Sequence, residues 1–223
     1  KVGVPGRPAG AVDVLATIPG YRVQLDHTEF ATILAQTGFC HAIAGDDLAP
    51  LDRDLFAFRK QHGAVAVGPL VIASLLAKKI AVGIEHVVLE IRVWAHGNFG
   101  RNLGEARNNA VRFCRVAKLS GVLATCVLTD ASRPYQPYIG RGESLLALEA
   151  ALFGEAEPWL SGHVQLCHRI ANEALASEAN RAPLDGVSRL RHLFEAHLTA
   201  QGSSLDAFRT RVAGIASEAA TVV

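Results

Sequence analysis

Two apolar runs dominate the hydropathy pattern. His86-Val87-Val88-Leu89-Glu90-Ile91-Arg92-Val93 is rich in β-branched residues and reads as a strand. Gly121–Thr129 is a second such run, ending at Asp130. Between them Glu105–Leu119 reads as a helix of mixed polarity, and Pro69–Ala81 as a long apolar helix opened by its proline. The opening residues 3–10, rich in Gly and Pro, read as a loop, and a helix follows over 11–18 until Pro19-Gly20 stops it. Asp26 or Thr28 can cap the next helix, which Gly38 ends, and Phe39–Ile43 is a short candidate strand. Residues 46–59 read as helical after Pro50, and Pro134 and Pro137 mark an irregular connection. Helices are predicted over 142–152, 162–178, 184–200 and 204–220. Strands separated by helices imply an α/β fold: a parallel sheet flanked by helices, with a predominantly helical C-terminal part. In such a sheet ligands gather near the carboxyl ends of the strands.

At 223 residues, half of them hydrophobic, the chain can bury a proper core. It reads as one α/β domain over 1–223, with 50–81 a candidate small helical lobe. Lys and Arg total 22 against 21 Asp and Glu, with no basic stripe interleaved with aromatics, so nucleic acid is not an expected partner. No apolar run reaches spanning length and nothing resembles a signal peptide, so no membrane partner is expected either. Cys40, Cys114, Cys126 and Cys167 share no CxxC spacing and fit free thiols in a reducing, cytoplasmic setting. The chain contains no methionine, an initiator included, and is expected to be part of a longer translation product.

The chemistry-bearing residues cluster around the apolar helix. Ser74 and Lys78 are four apart and share one helical face, and Arg59 lies in the segment before it. A guanidinium fork, an ammonium and a hydroxyl suit a planar ligand edged with carbonyl oxygens. Plainer roles compete: Lys78-Lys79 as a solvated helix end, and Ser74 as a hydroxyl bonded back to its own helix. The Gly-flanked loop after the first strand holds Phe99, which either approaches a ligand or tucks into the core. Asp130 fits the capping of a turn better than a substrate contact. No metal-ligand spacing occurs among the histidines, and His192 and His197 are expected to be solvated.

Several segments, in order, resemble the thymidine and pyrimidine-nucleoside phosphorylases: Ala16-Thr17-Ile18-Pro19-Gly20, Gln36-Thr37-Gly38, Leu48-Ala49-Pro50-Leu51-Asp52, Arg59, Pro69–Lys79 and Leu128-Thr129-Asp130. Pro8-Ala9-Gly10 with Asp13, and His86-Val87-Val88, are more similar to the archaeal AMP phosphorylase branch of that superfamily. The likeness runs from about Gly6 to about Val212, the central portion of such a protein. It implies a pentosyltransferase catalysing reversible phosphorolysis of a nucleoside to free base and pentose 1-phosphate. By the same resemblance Arg59, Ser74 and Lys78 bind the base, Val65, Val71 and Phe99 wall it, and Arg59 and Lys78 stabilise charge on the departing ring.

The family's phosphate-cradling Lys-x-Ser-Thr-Gly-Gly-x-Gly-Asp segment has no counterpart here. Its further phosphate-contacting Ser and Thr fall level with Lys1 and Ala11. The loop from Trp94 to Phe99 also departs from the family's tighter Gly-Ser-Gly-Ala-Phe pattern. The N-terminal phosphate-loop region and the C-terminal mixed domain are expected to be absent from this chain. The implied partners are a nucleoside or nucleotide and phosphate as co-substrate, with no cofactor and no metal, in a homo-oligomer such as a dimer or in association with a further domain. The alternatives are a non-catalytic nucleobase- or nucleotide-binding relative and an assembly subunit lacking the phosphate site.

Overall fold

A computed structural model describes residues 2–3, 10–43, 49–97, 99–133, 140–175 and 187–221. The 4–9 loop, the prolines 134 and 137, and the predicted helix ends at 46–48, 176–178 and 184–186 lie outside the described residues. The chain divides into two compact units, the first of residues 1–44, 136–164 and 185–223, the second of residues 45–135 and 165–184. The architecture is α/β, with parallel strand pairs and a helical C-terminal part.

The second unit is a β-α-β arrangement with two preceding helices. Helices α3 (Pro50–Gln61) and α4 (Gly68–Ala81) lead to strand β3 (His86–Val93), helix α5 (Leu103–Leu119) and strand β4 (Leu123–Asp130). β3 and β4 pair in parallel from His86↔Leu123 to Val93↔Asp130. Ile72 and Leu76, one turn apart on α4, join Val87 and Ile91 of β3 and Phe113 and Ala117 of α5 in one buried cluster. That spacing is the helical period that faces a core, so the same helix presents Ser74 and Lys78 along another line. At the end of β4, Asp130 accepts a bond from the Ser132 amide at 2.9 Å, which holds its carboxyl below the usual range and fulfils its turn-capping role.

The first unit contains β1 (Val2–Gly3), α1 (Ala11–Leu15), α2 (His27–Thr37), β2 (Ala42–Ile43), α6 (Arg141–Phe153), α8 (Val187–Ala200) and α9 (Leu205–Thr221). Helix α7 (Pro158–Leu175) contributes its beginning to this unit and its end to the second. Asp26 rather than Thr28 caps α2: its carboxylate accepts the Glu29 amide at 2.8 Å while Glu29 accepts the Asp26 amide at 3.1 Å. Gly38 closes the helix with a left-handed φ of 76°. The core joins Leu15 and Ile18 to Leu145 of α6, Phe194 and Leu198 of α8 and Phe208 of α9.

Several boundaries and one side chain differ from the sequence reading. Helix α1 stops at Leu15, because Thr17 and Ile18 bond three residues back into tighter turns ahead of Pro19. Gly3, read as loop, is strand together with Val2, paired with Ile43 and Ala42. The 39–43 strand shrinks to two residues because the Gln201 side chain takes both the amide and the carbonyl of His41, at 2.8 and 2.9 Å. Helix α7 begins at Pro158, not Gly162, using the proline at its first position. His192 is exposed as expected, but His197 is 1 % exposed.

His197 sits in a buried polar knot. Its Nε2 lies 2.7 Å from the Tyr21 hydroxyl and 3.1 Å from His41 Nδ1, and its ring stacks on Phe39. Burial, above all, lowers its pKa from 6.5 to about 4 and pushes the Tyr21 hydroxyl upward. The unfolded chain therefore takes up this proton first as pH falls. The stability that neutral His197 contributes is complete above pH 6.5, declines below it, and is gone below about 4. Urea unfolding across pH 7 to 4 should show the wild type losing stability relative to His197→Gln; a pH-independent difference would show that His197 does not carry this linkage.

Candidate functional site

The site is built on the α3–α4 hairpin. Arg59 lies in the last turn of α3, where a cation complements the helix end, yet it is only 2 % exposed. Gly63, at a left-handed φ of 64°, turns the chain out of α3 and leaves inward-facing carbonyls in the connector. The guanidinium satisfies them: Nε donates to the Ala64 carbonyl at 3.2 Å, one terminal nitrogen to the Val65 carbonyl, and the other to Leu70 at 3.2 Å. Its carbon also lies 5.6 Å from the Phe56 ring centroid. A planar fork of donors can meet three carbonyls at once, which an ammonium could not do with the same geometry.

Ser74 and Lys78 come together as the helical period dictates. Lys78 Nζ donates to the Ser74 hydroxyl at 3.0 Å and to the Ser74 carbonyl at 2.6 Å. Its third partner is Asp52, in the first turn of α3, at 2.5 Å. The Asp52 side chain is 9 % exposed and that of Lys78 34 %, so the pair is open on the lysine's side. Ser74 is itself buried. Thus the structure joins Ser74 to Lys78 and fastens Arg59 to Leu70, one turn earlier on α4.

The apolar candidates divide. Val71 packs against the buried cluster that contains Phe99, whose carbonyl accepts a bond from Asn109 Nδ2 at 2.9 Å. Phe99 is 8 % exposed, a core residue in this structure. Val65 is exposed, with its carbonyl held by Arg59. Asp52 escaped the sequence reading as a site residue, although it ends one of the segments that carry the resemblance. Its signal was an acid in the first turn of a helix; its partner lies 26 residues away, beyond any local spacing rule.

Chemically, the arrangement offers a hydroxyl and an ammonium on one helix face, held from behind by a neutralising carboxylate. Proteins similar to the chain in sequence are named as nucleoside phosphorylases. The chain is 36 % identical to the thymidine phosphorylase of Agrobacterium fabrum over 58 % of its own length and 29 % of that protein's. It is 25 % identical to the pyrimidine-nucleoside phosphorylase of Geobacillus stearothermophilus over its entire length and 52 % of the relative's. With human thymidine phosphorylase it shares 29 % identity over 88 % of this chain and 42 % of the other.

The chain is a relative of the thymidine and pyrimidine-nucleoside phosphorylases. It spans between about a third and about half of the length of these phosphorylases. No protein-family model matches it.

Within this phosphorylase relative, Arg59 carries a structural load that can be measured apart from any ligand. Arg59→Ala strips three carbonyls of their donor, each worth roughly 1 kcal/mol or more when buried. Chemical unfolding should show a loss of about 3 kcal/mol, and Arg59→Lys should recover only part of it. A loss below about 1 kcal/mol would mean that water replaces the guanidinium without penalty.

Proposed function

We propose that this chain carries the base-binding half of a pyrimidine-nucleoside phosphorylase of the thymidine type, a pentosyltransferase. In the reaction, phosphate attacks the anomeric carbon of a pentoside. The glycosidic C–N bond breaks, and its electron pair stays with the ring nitrogen, so the departing base accumulates negative charge. Lys78 and Ser74 meet the carbonyl edge of that base, and Lys78 stabilises the charge with its ammonium. Arg59 fixes the connector and the first turn of α4, and its two uncommitted N–H groups can join the contact. Val65 and Val71 supply apolar surface beside the ring, with Phe99 backing Val71 from the core.

The observation that supports this reading is the Ser74–Lys78 pair, at 3.0 Å on one face of α4, in a chain whose relatives bear phosphorylase names. A preorganised donor at a developing anion is typically worth about 2.7–4 kcal/mol of barrier. One specific observation favours a second reading, a non-catalytic nucleobase-binding relative. All three N–H donors of Lys78 already have protein acceptors, so a base oxygen at the ammonium must displace one of them, such as Asp52.

Two measurements separate the readings. Calorimetric titration with thymine and uracil should show saturable binding that Lys78→Met weakens tenfold or more, with circular dichroism confirming an unchanged fold. Release of base from thymidine, uridine and AMP in the presence of phosphate should fall about 10²–10³-fold in the same variant. Binding without turnover from any of the three would favour the non-catalytic reading. Base binding indifferent to Lys78→Met would overturn both.

A further inference from the structure

Two imidazoles and a phenol of the first unit converge on one point. His41 Nδ1, His197 Nε2 and the Tyr21 hydroxyl form a triangle whose edges are 3.1, 2.7 and 3.3 Å. A neutral imidazole nitrogen is a donor or an acceptor, never both. The phenol and one facing N–H therefore supply two protons for three close contacts. Either one nitrogen lone pair serves two donors, or one contact holds no proton at all. On its far side His197 Nδ1 is buried and has no hydrogen-bond partner among the described residues. Nothing there fixes the tautomer, so the ring can keep its proton on Nδ1 and turn the Nε2 lone pair to the centre of the triangle.

The surrounding frame is set without using these three atoms. The Arg22 amide donates to the Gln201 carbonyl at 2.8 Å, and Gln201 Nε2 donates to the Arg22 carbonyl at 2.6 Å. The same Gln201 side chain holds the backbone of His41 on both sides, and the Ser203 hydroxyl donates to the Pro19 carbonyl at 2.7 Å. Tyr21, His41 and the end of α8 are thus positioned in advance, as a binding site requires.

Ligand atoms held about 2.0–2.1 Å from one ion lie roughly 2.9–3.4 Å apart in tetrahedral or octahedral geometry. Two edges of the triangle fall in that range. The third has a hydrogen-bond length and opens slightly when an ion takes the place of a proton. Among the described residues no three His, Cys, Asp or Glu side chains gather for a metal; here the third donor is a phenol oxygen. Two imidazoles without a carboxylate suit zinc and not magnesium or calcium.

We infer that His41, His197 and Tyr21 bind one zinc ion, which ties the Tyr21 turn and the His41 segment to α8. The phenol releases its proton to solvent as the ion enters, and each imidazole keeps one proton on its other nitrogen. His41 is only half-buried and leaves room for entry and for a completing water. The three residues are 20, 156 and 176 positions apart, so no local ligand spacing announces them. The assignment does not rest on the base-binding reading, with which it shares no residue.

Calorimetry on the whole chain, first stripped with a chelator, tests it with Zn²⁺ and with Mg²⁺ as the control. One equivalent of Zn²⁺ should bind saturably, and Mg²⁺ should not. His41→Gln should weaken Zn²⁺ tenfold or more, with circular dichroism confirming the fold, since its backbone bonds to Gln201 remain. His192→Gln, on an exposed face of the same helix as His197, should leave the affinity unchanged. Saturating Zn²⁺ should raise the unfolding midpoint of the wild type and not that of His41→Gln. Cu²⁺ in place of Zn²⁺ should give a visible phenolate-to-copper charge-transfer band that Tyr21→Phe abolishes. No saturable Zn²⁺ binding, equal binding of Mg²⁺, indifference to His41→Gln, loss with His192→Gln, or a band that survives Tyr21→Phe would each overturn the assignment.

Discussion

The buried Arg59 guanidinium is the constraint on which the candidate site depends. Three backbone carbonyls, from Ala64, Val65 and Leu70, converge on it, and they belong to the connector and to the first turn of α4. Carbonyls turned away from water need donors, and a single rigid fork supplies them more economically than several separate side chains. With the connector fixed, α4 enters at a set angle and the Ile72–Leu76 line meets the β3–α5 core. The Ser74–Lys78 line then falls beside Asp52 of α3. Packing and site are two faces of one helix placement.

This placement changes what the polar residues can be said to do. From spacing alone, Arg59 and Lys78 look like equivalent cations facing a ligand. In the fold they differ: Arg59 is almost wholly buried and bound to backbone, while Lys78 keeps a third of its side chain exposed. Asp52 balances Lys78, and a ligand must compete with it. A site closed by its own ion pair favours ligands carrying electron-rich acceptors, which can replace a carboxylate at an ammonium.

Much of this was legible in the chain. The β-branched run 86–93, the apolar helix from Pro69 to Ala81 and the capping pattern of Asp26 with Glu29 are local signals, and their elements formed where those signals stand. The Ser74–Lys78 contact is likewise a consequence of helical period. What could not be read depended on distant partners. His197 looks like one polar residue on a charged helix, yet Tyr21, His41 and Phe39 enclose it from far along the chain. The short 42–43 strand reflects the Gln201 side chain occupying the neighbouring backbone. Asp52 became visible as a partner of Lys78 only when α3 folded back on α4.

Amide hydrogen exchange over residues 62–78, comparing wild type with Arg59→Lys, tests the organising role of the guanidinium most directly. Loss of protection confined to the connector and the first turns of α4, with β3 and α5 unchanged, is the expected result. Unchanged protection in the connector would contradict it, since the carbonyls at 64, 65 and 70 would then be held by something other than Arg59.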